Sequence, residues 1–278
     1  MIKFEQSKLN KIDQYLKLYS RIFRFKKKKS YFEWLYIENP SGKFMGIDCY
    51  DDEELIGQVG GIPAEFKYFG ENSKFLISIN VCVDPKYQGQ KLFSKMASRF
   101  EKLAKEKNFD GIIAIANKAA TPAWIKSIGL NFLKQLDVYI GFGKVNNKET
   151  NKHDYDFYSI WNNEKLNWRI KNPINKTYIV NHQNKKMSIY AKTKYPFIDV
   201  YSPVIFSENK ISINENYRNF LRPIIFLGII KNLDKKLLVS LPETIKPSPL
   251  NFLYKFINKE KILNPDKVYF TFLDFDAF

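Results

Sequence analysis

Apolar residues near the start of the chain recur at steps of three and four, the spacing that keeps side chains on one face of a helix. They are Leu9, Ile12, Leu16, Tyr19 and Phe23. This spacing predicts an amphipathic helix over residues 8–24. A run of lysines interrupts it, and a second short helix is predicted over residues 31–36. That helix ends before Asn39-Pro40, because the residue that precedes a proline avoids the α conformation.

Runs of β-branched and aromatic residues then predict a set of strands. Their ranges are 44–50, 55–62, 64–69 and 75–83. Apolar positions at helical spacing predict a long helix from Gly89 to about Lys107, and a continuous apolar run predicts a buried strand over 111–116. A helix of that length allows a right-handed crossover between parallel strands. The pattern therefore predicts an α/β fold, a mixed sheet with helices on its faces.

Turn chemistry predicts one further helix and strand. Thr121-Pro122 fits a helix start, with threonine as N-cap and proline in the first turn. Gly129 fits the residue after the helix end, where glycine adopts a left-handed conformation. A single strand is predicted to follow over residues 133–142.

A short segment in the second half of the chain is weakly similar to one in the first half. The polar stretch 144–156 has no periodicity and predicts a boundary, which divides the chain into domains 1–146 and 147–278. Trp34 and the following Asn-Pro are echoed by Trp168 and its own Asn-Pro, and strands are predicted over 178–180 and 187–192. This similarity is either a degenerate internal repeat or a coincidence of a few residues.

The amino-acid composition argues against a nucleic-acid partner, a metal site and a membrane span. The formal net charge is +16, but only six of the 45 basic residues are arginine, whereas proteins that read bases or phosphates favour arginine for its bidentate fork. Nucleic acid is therefore disfavoured as a partner. Two cysteines and two histidines make no metal framework. The longest apolar run, 223–230, is too short for a membrane span, and no apolar signal segment opens the chain, so the cytoplasm is the expected location.

The segment 81–93, which reads VCVDPKYQGQKLF, carries the most specific chemistry. A strand ends at Asp84-Pro85, a short polar loop containing Gly89 follows, and a long helix then begins. The free backbone N–H groups and the dipole of such a helix N-terminus suit an anionic phosphate.

This segment resembles the acetyl-CoA loop of the GNAT N-acetyltransferase superfamily. Together with the Trp-Asn-Pro box and the acidic, aromatic chain end, it resembles a tandem-domain bacterial subgroup acting on small molecules or amino sugars. The resemblance implies a mixed sheet that splays between strands 75–83 and 111–116, where the arm of acetyl-CoA inserts. A second, degenerate GNAT-like domain is implied to follow, one that has lost the cofactor loop.

The resemblance also implies which residues hold the acyl donor, acetyl-CoA, without a metal. Backbone amides of the loop and first helical turn would bind the pyrophosphate, Val81 and Val83 would offer main-chain groups to pantetheine, and Asn117 would contact the arm. The loop residues are Gln88, Gly89, Gln90, Lys91, Leu92 and Phe93. The family usually has glycine in place of Lys91. The lysine either adds a cationic contact or marks a degraded loop.

The sequence indicates the catalytic residues less directly than the cofactor-binding ones. Many GNAT enzymes have a tyrosine acid four residues before the glycine that here is Gly129, but this chain has Ile125. Candidates for the group that accepts the amine proton are Glu33, Asp276 and the terminal carboxylate of Phe278, as the resemblance to tandem relatives implies for the chain end. The alternative for Glu33 is a solvated helix residue, and the alternative for the chain end, which is favoured, is an edge strand with solvated acids. Ser78 and Asn80, on the predicted cofactor strand, could line the cleft through a water.

The function predicted in this way is transfer of an acetyl group from acetyl-CoA to a primary amine of a small molecule. The acceptor class implied is an amino sugar or a nucleotide-linked amino sugar. Two alternatives remain open: an aminoacyl-tRNA-dependent transferase of the tandem GNAT type, and an acyl-CoA-binding module without catalysis.

Overall fold

The computed structural model of this chain describes most of its 278 residues. The described ranges are 1–23, 28–142, 152–174, 178–183, 186–193, 195, 197–206, 222–231, 233, 235–241, 249–258 and 261–275. The predicted domain boundary at 146/147 lies outside them.

The described residues form five α-helices and fifteen strands, numbered here in chain order. The helices are α1 Ile12–Ile22, α2 Lys29–Tyr36, α3 Leu92–Glu106, α4 Ala120–Ile128 and α5 Asn163–Ile170. The strands of the first half are β1 Ile2–Gln6, β2 Met45–Asp51, β3 Glu54–Tyr68, β4 Glu71–Val83, β5 Gly111–Ala116, β6 Asn131–Gln135 and β7 Asp137–Gly141. Those of the second half are β8 Phe157–Ser159, β9 Tyr178–Gln183, β10 Lys186–Lys192, β11 Asp199–Val204, β12 Ile224–Ile229, β13 Leu238–Ser240, β14 Asn251–Phe256 and β15 Val268–Thr271.

The chain folds into two compact units that do not follow one another along the sequence. The first consists of Met1–Ala64, Lys74–Leu133 and Leu250–Glu260, and the second of Glu65–Ser73, Lys134–Pro249 and Lys261–Phe278. Strand β14 therefore belongs to the first unit, although it lies more than a hundred residues after β5, the strand with which it pairs.

The first unit is built on a mixed sheet with the strand order β1-β2-β3-β4-β5-β14. β4 and β5 are parallel, and α3 forms the crossover between them, as the sequence predicts. β14 pairs antiparallel with β5 along all six of its residues. One face of this sheet is covered by α3 and α4, whose apolar residues join a continuous core. That core includes Val59, Leu76, Met96, Phe100, Ile112 and Trp124.

Glycines in β3 show that the opposite face is packed as tightly. A Cβ on Gly61 would meet the ring of Phe100 in α3, whereas a Cβ on Gly60 would clash with the ring of Phe44. Since neighbouring residues of a strand point to opposite faces, Phe44 lies on the face away from α3. There it stacks on Tyr36 of α2 with ring centroids 3.8 Å apart.

The second unit is built on a sheet with the order β8-β15-β12-β11-β10-β9, to which β7 and β13 add through β12. Its aromatic core includes Tyr155, Tyr190, Tyr201, Phe226 and Tyr269. Asp274, in a short 3₁₀ helix after β15, is buried and accepts hydrogen bonds from the Trp161 indole and the Thr271 backbone. This part of the acidic chain end is therefore not solvated.

Most of the predicted elements are confirmed, including α1, α2, α3, β5 and the two strands 178–180 and 187–192. Two predictions about strands are wrong. The strands predicted over 55–62 and 64–69 form the single strand β3, which tolerates Pro63 because its pairing with β2 ends at Gly61. The strand predicted over 133–142 is divided at Leu136 into β6 and β7. Trp34 and Trp168 both lie in short helices, and the internal repeat stays a prediction.

Candidate functional site

The parallel strands β4 and β5 separate at their carboxyl ends. Their paired register runs from Phe75 opposite Gly111 to Ser78 opposite Ala114, while β4 continues to Val83 and β5 to Ala116. Two strands that diverge in this way leave backbone groups on facing edges without a ladder partner. The opening lies at the carboxyl ends of parallel strands, where ligands of open α/β sheets bind.

A kink in β4 contributes to the separation. Asn80 has a φ of +51°, a left-handed conformation that is uncommon for residues other than glycine. Leu76 packs against the core under α3 and α4, and so do Val81 and Val83. The inward positions thus change from even to odd between these residues, which indicates one extra residue in the strand at Asn80.

The loop after β4 is held at both ends. The carboxylate of Asp84 accepts a hydrogen bond from the Lys86 backbone at 3.1 Å and lies 3.4 Å from the Arg21 guanidinium of α1. The hydroxyl of Tyr87 donates to Asp51 at 3.0 Å. These contacts fix the loop before it reaches the first turn of α3.

The loop itself has the conformation that a phosphate site needs. Gly89 has a φ of +82° and open space around it, so the chain turns there with no side chain in the way. Helix α3 starts at Leu92, and the N–H groups of a first helical turn lack intrahelical partners. Gln88, Gln90 and Lys91 are exposed beside it. The arrangement offers N–H groups and a helix dipole to an anion.

Lys91 adopts the left-handed conformation itself, with φ +59° and ψ 19°. This explains why related loops favour glycine at this position, because a side chain with a Cβ costs about 1–2 kcal/mol there. The lysine is exposed, and its charge lies at the N-terminus of α3.

Lys91→Gly is therefore expected to raise the free energy of unfolding by about 1 kcal/mol, or the melting temperature by about 2–4 °C. Lys91→Met keeps the strain and removes only the charge. If the charge contacts a phosphate, both variants should weaken acetyl-CoA binding by about fivefold in calorimetric titration. Unchanged affinity in Lys91→Met would show that the lysine has no cationic role.

The side chains next to the loop pack into the protein. Val81 and Val83 are half-buried, and Leu92 is buried against the core. Phe93 packs edge-on against Trp124, with ring centroids 5.1 Å apart. These residues leave only main-chain groups for a cofactor, as the resemblance implies for the two valines.

Asn117 follows β5 and caps α4. Its side-chain oxygen accepts a hydrogen bond from Ala120 N at 2.8 Å, and its backbone oxygen accepts from Thr121 N at 3.0 Å. The prediction that Thr121 is the N-cap is wrong, because the helix starts at Ala120, two residues before the predicted start at Pro122, and Asn117 rather than Thr121 accepts the hydrogen bond from its first N–H. Gly129 ends the helix with φ +66°, as predicted. A contact between Asn117 and the cofactor stays a prediction.

Of the three catalytic candidates, Glu33 alone lies within the described residues, so their arrangement stays a prediction. Glu33 is half-buried on α2, and Asp276 and Phe278 lie outside the described residues. Both cysteines are buried, which raises the pKa of the Cys49 thiol to about 11 and that of the Cys82 thiol to about 12. Neither would be a thiolate nucleophile at neutral pH.

A buried polar chain that sequence reasoning missed reaches the kink in β4. The Asn80 amide donates to the Tyr36 hydroxyl at 2.9 Å, which lies 3.1 Å from the Tyr19 hydroxyl. Tyr19 donates to Gln58, and the Gln58 amide donates to Asp48 at 2.7 Å. The signal in the sequence is that Asp48 and Gln58 interrupt otherwise apolar strands.

The described residues contain neither a metal-binding cluster nor a membrane-spanning helix. Among them, no three side chains of histidine, cysteine, aspartate or glutamate are grouped to hold a metal ion. None of the helices there is long and apolar enough to cross a membrane.

Comparison with known proteins agrees with this geometry. Residues 3–119 match a family model described as Acetyltransferase (GNAT) domain. Over 224 residues the chain is 24% identical to a protein of Amsacta moorei entomopoxvirus named "Putative glycylpeptide N-tetradecanoyltransferase", covering 76% of this chain and 71% of that protein.

Solved structures show the same fold. A GCN5-related N-acetyltransferase from Anabaena variabilis superposes with a TM-score of 0.61 at 11% identity, covering 93% of this chain and 73% of that one. A GCN5-related N-acetyltransferase from Kribbella flavida gives 0.58 at 10% identity, covering 92% and 71%. At such low identity these likenesses establish the architecture and not the substrate.

Proposed function

Because residues 3–119 match a model of the GNAT acetyltransferase domain, we propose that this chain is an acyltransferase of that superfamily and that it transfers an acetyl group from acetyl-CoA to a primary amine of a small molecule. The observation that carries the proposal is the splayed end of β4 and β5, which opens beside the Gly89 loop and the N-terminus of α3. A thioester arm between the strands and a pyrophosphate on the loop would use both features.

In this proposal the backbone of residues 88–93 binds the pyrophosphate, and main-chain groups of Val81 and Val83 hold the pantetheine. The amine nitrogen attacks the thioester carbonyl, the new N–C bond forms, and the C–S bond breaks. The thiolate leaves and takes up a proton. Ile125 can supply none, so the proton would come from solvent or from the attacking amine. Proposed acceptors of the amine proton are Glu33, Asp276 and the terminal carboxylate of Phe278.

For the acceptor we propose an amino sugar or nucleotide-linked amino sugar, on the resemblance to the tandem-domain subgroup. The aromatic residues of α2 do not add support. Tyr31, Phe32, Trp34 and Tyr36 are buried, so they cannot stack on a sugar ring without unfolding the helix from its core. The ring-binding part of the acceptor site would have to come from other residues.

A second candidate is acylation of an N-terminal glycine on a peptide. It is favoured by one observation, the 24% identity to the entomopoxvirus protein whose printed name refers to a glycylpeptide and a tetradecanoyl group. Both candidates share the acyl-CoA loop and differ in acyl length and in the amine.

The test is thiol release from acetyl-CoA and from tetradecanoyl-CoA, each with D-glucosamine and with a peptide that begins with glycine. Release that depends on acetyl-CoA and glucosamine supports the first candidate, and release that depends on tetradecanoyl-CoA and the peptide supports the second. Binding of acyl-CoA without turnover on any amine would overturn both and favour a binding module. No binding of acyl-CoA would favour the aminoacyl-tRNA-dependent alternative.

A further inference from the structure

We propose that the side-chain oxygen of Asn80 binds an N–H of the incoming amine, and that the buried carboxylate of Asp48 sets the orientation of that oxygen through three intervening residues. Asn80 would be an acceptor-binding residue, and Asp48 a positioning residue. This inference rests on the proposed transfer to an amine.

The argument begins at Asp48, which lies in β2 with no exposed surface. Its Oδ1 accepts hydrogen bonds from Ser7 Oγ at 2.6 Å and Gln58 Nε2 at 2.7 Å, and Tyr15 donates to its Oδ2 at 3.0 Å. An ionised carboxylate accepts hydrogen bonds and donates none. With Asp48 ionised, Gln58 therefore turns its NH₂ group toward it.

The orientation of Gln58 determines the next two groups. With its NH₂ on Asp48, the amide presents Oε1 to Tyr19, so the hydroxyl of Tyr19 donates to it. A tyrosine hydroxyl has a single proton, and once that proton is donated its oxygen can only accept. The neighbouring hydroxyl, Tyr36, lies 3.1 Å away and is then the donor to Tyr19.

The same reasoning reaches Asn80. Because the proton of Tyr36 points at Tyr19, the oxygen of Tyr36 accepts, and Asn80 donates to it through Nδ2 at 2.9 Å. The amide of Asn80 is thereby fixed with its oxygen on the other side. That Oδ1 makes no hydrogen bond to a side chain or backbone group within the described part of the chain.

Burial excludes water from these hydrogen bonds, so water does not reverse their donor–acceptor direction. Tyr36 and Gln58 have no exposed surface and Tyr19 is 5% exposed, so the chain of hydrogen bonds is shielded until it reaches half-buried Asn80. Tyr36 is also held by stacking on Phe44. In such surroundings a reversed group would leave buried polar atoms unpaired, which is costly.

The position of Asn80 in the fold indicates what its Oδ1 would bind. The residue lies at the left-handed kink where β4 leaves β5, at the opening assigned above to the thioester arm. A neutral primary amine carries two N–H donors and a lone pair, and an amide oxygen is a suitable acceptor for one of the N–H groups. A hydrogen bond from the amine to Oδ1 would hold the nitrogen beside the thioester with its lone pair free.

The first experiment reads the orientation directly. Neutron diffraction from deuterated crystals of the full chain is expected to show deuterium on Asn80 Nδ2 toward Tyr36, on Tyr36 toward Tyr19, and on Tyr19 toward Gln58. The opposite direction at any of these groups would overturn the proposal. This readout does not depend on knowing the acceptor.

The second experiment reverses the chain by substitution. In Asp48→Asn the new NH₂ group can donate to Gln58, which would flip, and each later hydrogen bond would reverse until Asn80 presents its NH₂ to the cleft. Aminolysis of acetyl-CoA by hydroxylamine, a minimal primary amine, should fall by about tenfold, the effect of one lost hydrogen bond. The Kd of acetyl-CoA should not change.

Restoring an oxygen at the far end tests whether the effect is directional. Asp48→Asn combined with Asn80→Asp is expected to return aminolysis to within about threefold of the wild type, because a carboxylate at residue 80 can accept from Tyr36 and from the amine at once. Asn80→Asp alone should be impaired, since it reverses the chain against Asp48. If Asp48 had only a structural role, the second substitution would not restore activity. Slower aminolysis in the double variant than in either single variant would show such a role.

Two controls complete the test. Ser7→Ala removes a donor to Asp48 that lies off the path to Asn80, and aminolysis should stay within about twofold of the wild type. Tyr36→Phe keeps the stacking on Phe44 but frees the Asn80 amide, and it provides the same readout if Asp48→Asn does not fold. Normal aminolysis in Tyr36→Phe would overturn the proposal. A wild-type protein that binds no acetyl-CoA would instead refute the proposed function itself.

Discussion

Saturating acetyl-CoA is expected to raise the melting temperature of the wild-type protein by about 5–10 °C. A ligand at about one hundred times its Kd adds roughly 2.7 kcal/mol to the free energy of unfolding. For a chain of this size each kcal/mol shifts the melting temperature by about 2–4 °C. Thermal unfolding with and without acetyl-CoA measures the shift.

Gly89→Val is expected to remove most of that rise. Gly89 has a φ of +82°, which a β-branched residue does not adopt without strain, so the loop would change its backbone. The N–H groups at the start of α3 would no longer converge on the pyrophosphate. Losing two charge-assisted hydrogen bonds of about 1.5 kcal/mol each would weaken binding on the order of 100-fold.

Gly70 offers a matched control for this substitution. It lies in the turn between β3 and β4 with a φ of +85°, and an added Cβ would likewise meet no atom within 4 Å. Gly70→Val therefore imposes a similar strain away from the loop and should keep the full acetyl-CoA shift. Equal shifts in the two variants would mean that the Gly89 loop does not bind the phosphate.

Asp274→Ala is expected to lower the free energy of unfolding by about 3 kcal/mol, with a drop in melting temperature of about 6–12 °C. The substitution removes the acceptor of several hydrogen bonds, among them those from the indole N–H of Trp161 at 3.2 Å and the backbone N–H of Thr271 at 2.7 Å. Asp266→Ala is the control. Asp266 lies in a similar short 3₁₀ helix but is exposed, so it should change stability by less than about 0.5 kcal/mol.

The stability difference between the wild type and Asp274→Ala is expected to change with pH in one direction. Burial raises the pKa of this carboxyl above its ordinary value of 3.8, so the folded protein binds the proton more tightly than the unfolded chain. The stability that this proton contributes is present below pH 3.8 and is lost as the pH rises through the folded-state pKa. The difference between wild type and Asp274→Ala should therefore shrink from acid toward neutral pH. Equal sensitivity in Asp266→Ala would contradict the assigned burial.

Local sequence patterns predicted much of the first unit. The helical spacing of α1 and α3, the continuous apolar run of β5 and the glycine after α4 each act within a few residues of the chain. The Gly89 loop was predicted for the same reason, because a strand end, a turn and a helix start are consecutive in the sequence. Arg21 and Asp51 then hold this loop through Asp84 and Tyr87.

Several features depend on residues far apart in the chain. β14 pairs with β5 across more than a hundred residues, and Asn117 rather than Thr121 caps α4 because of how the chain leaves the sheet. Asp274 looked like a solvated acid, but Trp161 and Thr271 enclose it. Neither hydrophobic periodicity nor turn chemistry contains this information.

The sequence by itself determined the fold class, most helices and the conformation of the Gly89 loop, since these follow from backbone propensity and from neighbours along the chain. Only the tertiary structure decided which polar residues face one another. Asp48, Gln58, Tyr19, Tyr36 and Asn80 come from two helices and three strands, and their hydrogen bonds exist because the sheet and the helix pair bring them together. Their direction follows from one buried carboxylate that accepts and cannot donate.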